Sequence, residues 1–211
     1  LKIPLDVLSK IASALNRRDE VPNQELAKEI IADEDRQAIQ ILIEHLSHKN
    51  KAIQNDCIKV IYEIGESRPD LIVSYFEIFL EMLGSKNNRL QWGVMTALNY
   101  IAHLKPQETF HHLPRILETA EKGSVITRDH AINIIITLAN TEKYRTEAFA
   151  LLREQLLGSP INQFAMYAER TVPVVDKDNK EQFIKILETR MQDLQKESQK
   201  KRVEKIIRKL S

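Results

Sequence analysis

Glycine and proline are scarce in this chain, five and seven among 211 residues. That is too little turn material for an all-β fold. Cysteine is rarer still. A single Cys57 excludes a disulfide within the chain and leads us to expect a reducing, cytoplasmic setting. No apolar run reaches the roughly 18 residues that a membrane span needs, and no signal-peptide pattern stands at the start. The net charge is only +1, so no global electrostatic argument favours nucleic acid or an anionic membrane. A Gly-rich phosphate loop, a Walker-type lysine and a serine nucleophile elbow are also missing.

What is present is helix-forming material. The chain is 43% hydrophobic and 29% charged, with Leu, Ile, Ala, Glu, Lys and Gln prominent. Its apolar residues recur with a period of 37. The run Ile53, Cys57, Val60, Ile61, Ile64 becomes Leu90, Val94, Ala97, Leu98, Ile101 after one shift. Two more shifts give Thr127, Ala131, Ile134, Ile135, Leu138 and then Phe164, Ala168, Thr171, Val172, Val175. The internal spacing, i, i+4, i+7 and i+8, is one buried helix face. A second stripe shares the period: Ile39, Leu42, Ile43, Leu46, then Phe76, Phe79, Leu80, Leu83, then Leu113, Ile116, Leu117, Ala120. Its next copy, Ala150, Arg153, Glu154, Leu157, is broken, which predicts a slipped register in that helix.

Two stripes with one period predict paired helices, A then B, in each repeat. The A helices are expected over 33–47, 69–84, 106–121, 142–157 and 179–195. The B helices are expected over 50–65, 87–103, 124–139, 160–175 and 198–210. An irregular pair, 4–17 and 22–32, precedes them. Pro22, Pro69, Pro106 and Pro160 are expected in first helical turns, and Asn50, Asn87, Ser124 and Ser159 at N-caps. Short connections make neighbours antiparallel. The expected fold is all-α, a right-handed α-α superhelix of about six antiparallel helix pairs. It is read as one domain over 1–211, irregular to 32 and regular from 33.

The B-helix run Asn88-Arg89-Leu90-Gln91-Trp92-Gly93-Val94-Met95-Thr96-Ala97-Leu98 and the A-helix run His112-Leu113-Pro114-Arg115-Ile116-Leu117 resemble HEAT/armadillo-type repeats. Asp129 and Arg128 match that family's Asp and Arg ladder in one repeat. The equivalent sites elsewhere depart from it, holding Asn55 and Gln54, then Trp92 and Gln91. The resemblance implies a non-enzymatic scaffold that binds a protein or peptide on a concave surface lined by B helices. At 100° per residue, the side of the B helices opposite the core carries Ala52, Asn55, Lys59 and Tyr62, then Arg89, Trp92, Thr96 and Asn99. It continues through Ile126, Asp129, Asn133 and Ile136, then Gln163, Met166, Arg170 and Pro173. Trp92 is the only Trp, and beside Arg89, Asn55 and Asp129 it has the composition of an interface hot spot. The opposing reading has Trp92 packing flat on an adjacent B helix. The expected contacts are therefore Arg89, Trp92 and Asp129, ringed by Asn55, Lys59, Asn133 and Arg170.

Other chemistry is thin. His45 and His48 are one helical turn apart but lack further ligands, and His111 and His112 point to different faces, so neither a metal nor a cofactor is expected. One catalytic alternative is a HEAT-like DNA-binding protein or alkylpurine DNA glycosylase, with Trp92, Asp129 and Arg128 or Arg170 in its site. Against it, Lys59, Arg89 and Arg170 are balanced by Glu63 and Asp129, whereas a duplex groove is clearly basic. Nucleic acid is disfavoured. Residues 196–209 hold seven basic and two acidic residues, net +5, against −4 for the rest of the chain. That is a solvated terminal face aided by the helix dipole, or a patch for an anionic partner. The charged outer face of the last helix suits a terminal repeat, so a monomer is expected.

Overall fold

The computed structural model of the chain describes residues 6–211. Among them it is all-α, with short 3-10 turns and no strand. The helices are α1 (Val21–Asp33), α2 (Arg36–Glu44), α3 (Lys51–Ser67), α4 (Phe76–Met82), α5 (Asn88–Ile101) and α6 (Pro106–His111). They continue as α7 (Leu113–Lys122), α8 (Val125–Ala139), α9 (Arg145–Gly158), α10 (Ile161–Thr171), α11 (Lys180–Met191) and α12 (Glu197–Leu210). The described backbone groups into two compact units, residues 6–131 and 132–211.

In the first unit α3 packs against α2 on one side and lies between α1 and α5 on the others, while α4 packs on α5. The 37-residue stripes form the core: Cys57, Val60, Ile61 and Ile64, and in the next repeat Leu90, Val94, Ala97, Leu98 and Ile101, are all buried. Asn50 and Asn87 cap α3 and α5, their side-chain oxygens accepting from the amides of Ala52 (2.9 Å) and Arg89 (3.2 Å). Glu34 enters the left-handed region (φ 48°), so that the Asp35 amide bonds back to the Ile30 carbonyl at 3.1 Å. Asp35 then caps α2, which turns the chain from α1 to α2 across two residues.

Four local expectations change. The helix expected over 69–84 is two 3-10 turns, Pro69–Leu71 and Val73–Tyr75, followed by the short α4. The helix expected over 4–17 is not formed: positions 4 and 5 lie outside the described residues, Val7–Ser9 is a 3-10 turn, and the next residues are turns closed by Asn16 at φ 55°. The segment is instead held by side-chain bonds, described below. The helix expected over 106–121 is two, α6 and α7, because Pro114 lacks the amide a continuous helix needs and its ring crowds the preceding turn. Ser159 does not cap α10. Its hydroxyl donates to the Leu156 carbonyl, and Pro160 itself occupies the N-cap position.

In the second unit α9 packs on α10 and α11, and α12 on α10 and α11. The slipped register is a one-residue shift: Phe149, Leu152 and Leu156 are buried where a period of 37 points to Ala150, Arg153 and Leu157. Arg190 closes the C-terminal end of α9. Its guanidinium donates to the carbonyls of Leu156 (3.1 Å), Leu157 and Ser159 (2.9 Å) while lying 5.1 Å over the Phe164 ring. Three carbonyls at the end of α9 thus share one planar donor group. On α12, Val203 and Ile206 are buried and the basic residues lie outward, Arg202 pairing with Glu169 at 2.5 Å. Burial tells against the charged carboxylate of Glu169, yet the Arg202 bonds hold it below the usual carboxylate range.

Candidate partner-binding face on α3 and α5

α3 and α5 run side by side, so the flanks of each B helix meet a neighbour. This corrects the sequence-based picture of a free face opposite the core. Lys59, Tyr62 and Thr96 are buried, and Trp92, Asn55 and Arg89 are half-buried. A helix between two others in a layer has three covered sides, and a 100° count from the core centre sees one.

Lys59 shows how the charge is accommodated. Its ammonium lies 2.8 Å from Glu20, 2.5 Å from Glu63 on the next turn of α3, and 4.8 Å over the Tyr62 ring. Burial opposes the charge, but the hydrogen bonds to Glu20, Glu63 and Tyr62 outweigh it, so Lys59 is held above the ordinary lysine range. Glu20, just before α1, also accepts from Arg89 on α5. One carboxylate therefore ties α3 to α5. Tyr62 and Trp92 pack ring against ring at 5.7 Å between centroids, and burial raises the Tyr62 hydroxyl. Asn55 accepts from the Asn87 side chain at 2.9 Å, so this candidate contact is joined to the α5 N-cap.

Behind this row a buried polar network secures the N-terminal turns. Asn23 accepts from the Ala12 amide (3.0 Å) and donates to Asp56 (2.8 Å), whose other oxygen accepts from the Ser13 amide (2.7 Å). Sequence periodicity contained no sign of Glu20, Asn23 or Asp56, because their partners lie 11 to 69 residues away on other elements. Of the remaining candidates, Asp129 is half-buried on α8, and Arg128 donates to the Glu121 carbonyl at 3.3 Å. In the second unit Arg170 reaches Asn133 at 3.4 Å, one repeat apart.

The histidines and the cysteine are engaged locally. His45 contacts the Ile41 carbonyl at 2.7 Å, and His48 accepts from the Asn50 amide at 3.0 Å. Burial pushes the Cys57 thiol up to about 12. Among the described residues no three His, Cys, Asp or Glu side chains converge as metal ligands, and no helix is long and apolar enough to cross a membrane.

Solved structures supply the wider comparison. A crystal structure of an engineered protein matches with TM-score 0.61 at 18% identity, covering 97% of this chain and 98% of its own. Computationally designed armadillo repeat proteins for modular peptide recognition match with TM-score 0.57 at 17% identity, over 95% of this chain and 98% of theirs. The fold is of the armadillo type. Another designed armadillo repeat protein, at TM-score 0.56 and 15% identity, covers 97% of this chain and 100% of its own. At such identities the likeness concerns the helical-repeat fold alone. No protein-family model matches the sequence, and neither does any curated protein.

Proposed function

We propose that this chain is a non-enzymatic scaffold that binds a protein or peptide segment across the α3–α5 face. The observation that carries this reading is the row Asn55, Arg89 and Trp92. A half-buried indole backed by Tyr62 stands among polar side chains that are themselves held by neighbours. Rigid aromatic anchors flanked by fixed polar groups bind with little loss of side-chain entropy. Lys59 is assigned a supporting role, because its ammonium is saturated by two carboxylates and an aromatic ring. Asp129, in the same unit, remains a candidate for a flanking contact. The armadillo-type neighbours designed for peptide recognition give the reading a precedent in the fold.

The test is selection of a random-peptide display library on the full chain, followed by affinity measurement against Trp92→Ala. We expect recovered peptides to lose about tenfold or more in affinity, as central aromatic anchors do. Peptides that bind wild type and Trp92→Ala equally would place the binding surface elsewhere.

A further inference from the structure

A small open cavity, about 150 Å³, adjoins the candidate face. It is bounded by the N-terminal turns, the start of α3 and Arg89 of α5. Asn55 and Arg89 belong both to this cavity and to the proposed peptide site.

The hydrogen-bonding state of its lining is one-sided. Three carboxylates line it, and each of their oxygens already accepts a bond. Asp19 takes the Arg17 guanidinium and the Val21 amide, Glu20 takes Lys59 and Arg89, and Asp56 takes Asn23 and the Ser13 amide. The donors are not used up. Arg18 has no partner among the described residues, and Arg17 and Arg89 each direct only part of their guanidinium to a carboxylate. The Ser13 hydroxyl is buried without a partner. With three guanidinium groups and three carboxylates the lining carries no net charge, so it is the spare donors, the unpaired Arg18 guanidinium foremost, that favour a ligand bringing acceptors, and a carboxylate matches that guanidinium best.

Building on the peptide-binding reading, we propose that this cavity receives the carboxylate of an Asp or Glu side chain of the bound peptide, with Arg18 as its principal contact and Arg89 beside it. Arg89 lies one helical turn from Trp92 on α5, so the acidic residue seats next to the residue held by the indole. The volume suits one such side chain and leaves no room for a folded element. Partners are thereby sorted at this position: a lysine or arginine there sets a second cation against the unpaired Arg18 guanidinium and brings donors where donors are already spare.

The experiment continues with the peptides recovered by display. We expect Trp92-dependent peptides to carry a recurrent Asp or Glu, and its replacement by Asn or Gln to weaken binding about tenfold. Arg18→Ala should weaken the acidic peptides to a similar degree and erase the difference between the acidic peptide and its amide counterpart. Arg18 forms no hydrogen bond or ion pair among the described residues and is exposed, so this variant should keep its fold, which a circular dichroism melt verifies. Trp92-dependent peptides without an acidic residue, or acidic peptides indifferent to Arg18→Ala, would overturn the carboxylate pocket and leave the peptide-binding reading intact. Recovery of no Trp92-dependent peptide would overturn both.

Discussion

The rings of Tyr62 and Trp92 meet at 5.7 Å between centroids, inclined by 45°, across the seam between α3 and α5. The indole thus has one side in the protein and one toward solvent, the amphipathic placement that suits Tyr and Trp at interfaces.

From that placement, the fluorescence of the lone Trp should be intermediate in emission maximum and only partly accessible to acrylamide. Tyr62→Ala should increase quencher access, since it removes the ring that shields one side. Trp92→Ala should cost about 1–3 kcal/mol of stability, less than the roughly 2–5 kcal/mol expected for Leu98→Ala in the core. Equal losses for the two in urea titrations would make Trp92 a core residue.

The Glu20–Lys59–Glu63 cluster makes a prediction about partners and pH. Glu20→Gln together with Glu63→Gln leaves a buried ammonium without a counter-charge and should destabilise by about 3–5 kcal/mol. Either change alone should cost much less, because one carboxylate remains. The Lys59 value is raised above its ordinary 10.5, so its contribution is complete below that pH and is lost as pH climbs through the higher folded-state value. Urea midpoints measured from pH 9 upward should therefore decline less steeply in Lys59→Met than in wild type.

At Gly93 α5 lies tight against Ile58 of α3. A methyl group there would stand 2.7 Å from Ile58 Cγ1 and 3.0 Å from its Cγ2, and the branched Ile58 side chain has little freedom to withdraw. Ala is the better helix former by about 1 kcal/mol, yet overpacking costs about 1–3 kcal/mol. We expect Gly93→Ala to be destabilising on balance, with a lower urea midpoint at unchanged slope. A higher midpoint would show that the helices can part.

Cys57 should be inert in the folded protein. With the thiol raised to about 12 by burial, about one molecule in ten thousand carries a thiolate at pH 8. Labelling by a disulfide reagent should wait for denaturant and follow the unfolding transition. Rapid labelling of native protein would contradict this packing.

Much of the fold was legible before any coordinates. The 37-residue stripes name the buried residues of α3 and α5, and even the broken copy near Ala150 points to the one-residue slip that buries Phe149 and Leu152. The N-caps at Asn50 and Asn87 follow from residue type and place. The first expected helix fails because an apolar pattern alone cannot register that this stretch is fastened through Asn23 and Asp56.

The candidate site divides along the same line. By itself the sequence determined which residues face inward, because a helical repeat of 3.6 residues and an apolar stripe leave one choice of core face. It also singled out Trp92 and Arg89. Only the tertiary structure decided how far that outer row stays open. Packing α3 between α1 and α5 buries Lys59 and Tyr62, and the chain folding back brings Glu20 to Lys59 and Arg89. Periodicity describes a helix relative to its own axis, whereas accessibility and charge pairing depend on neighbours that are distant in sequence.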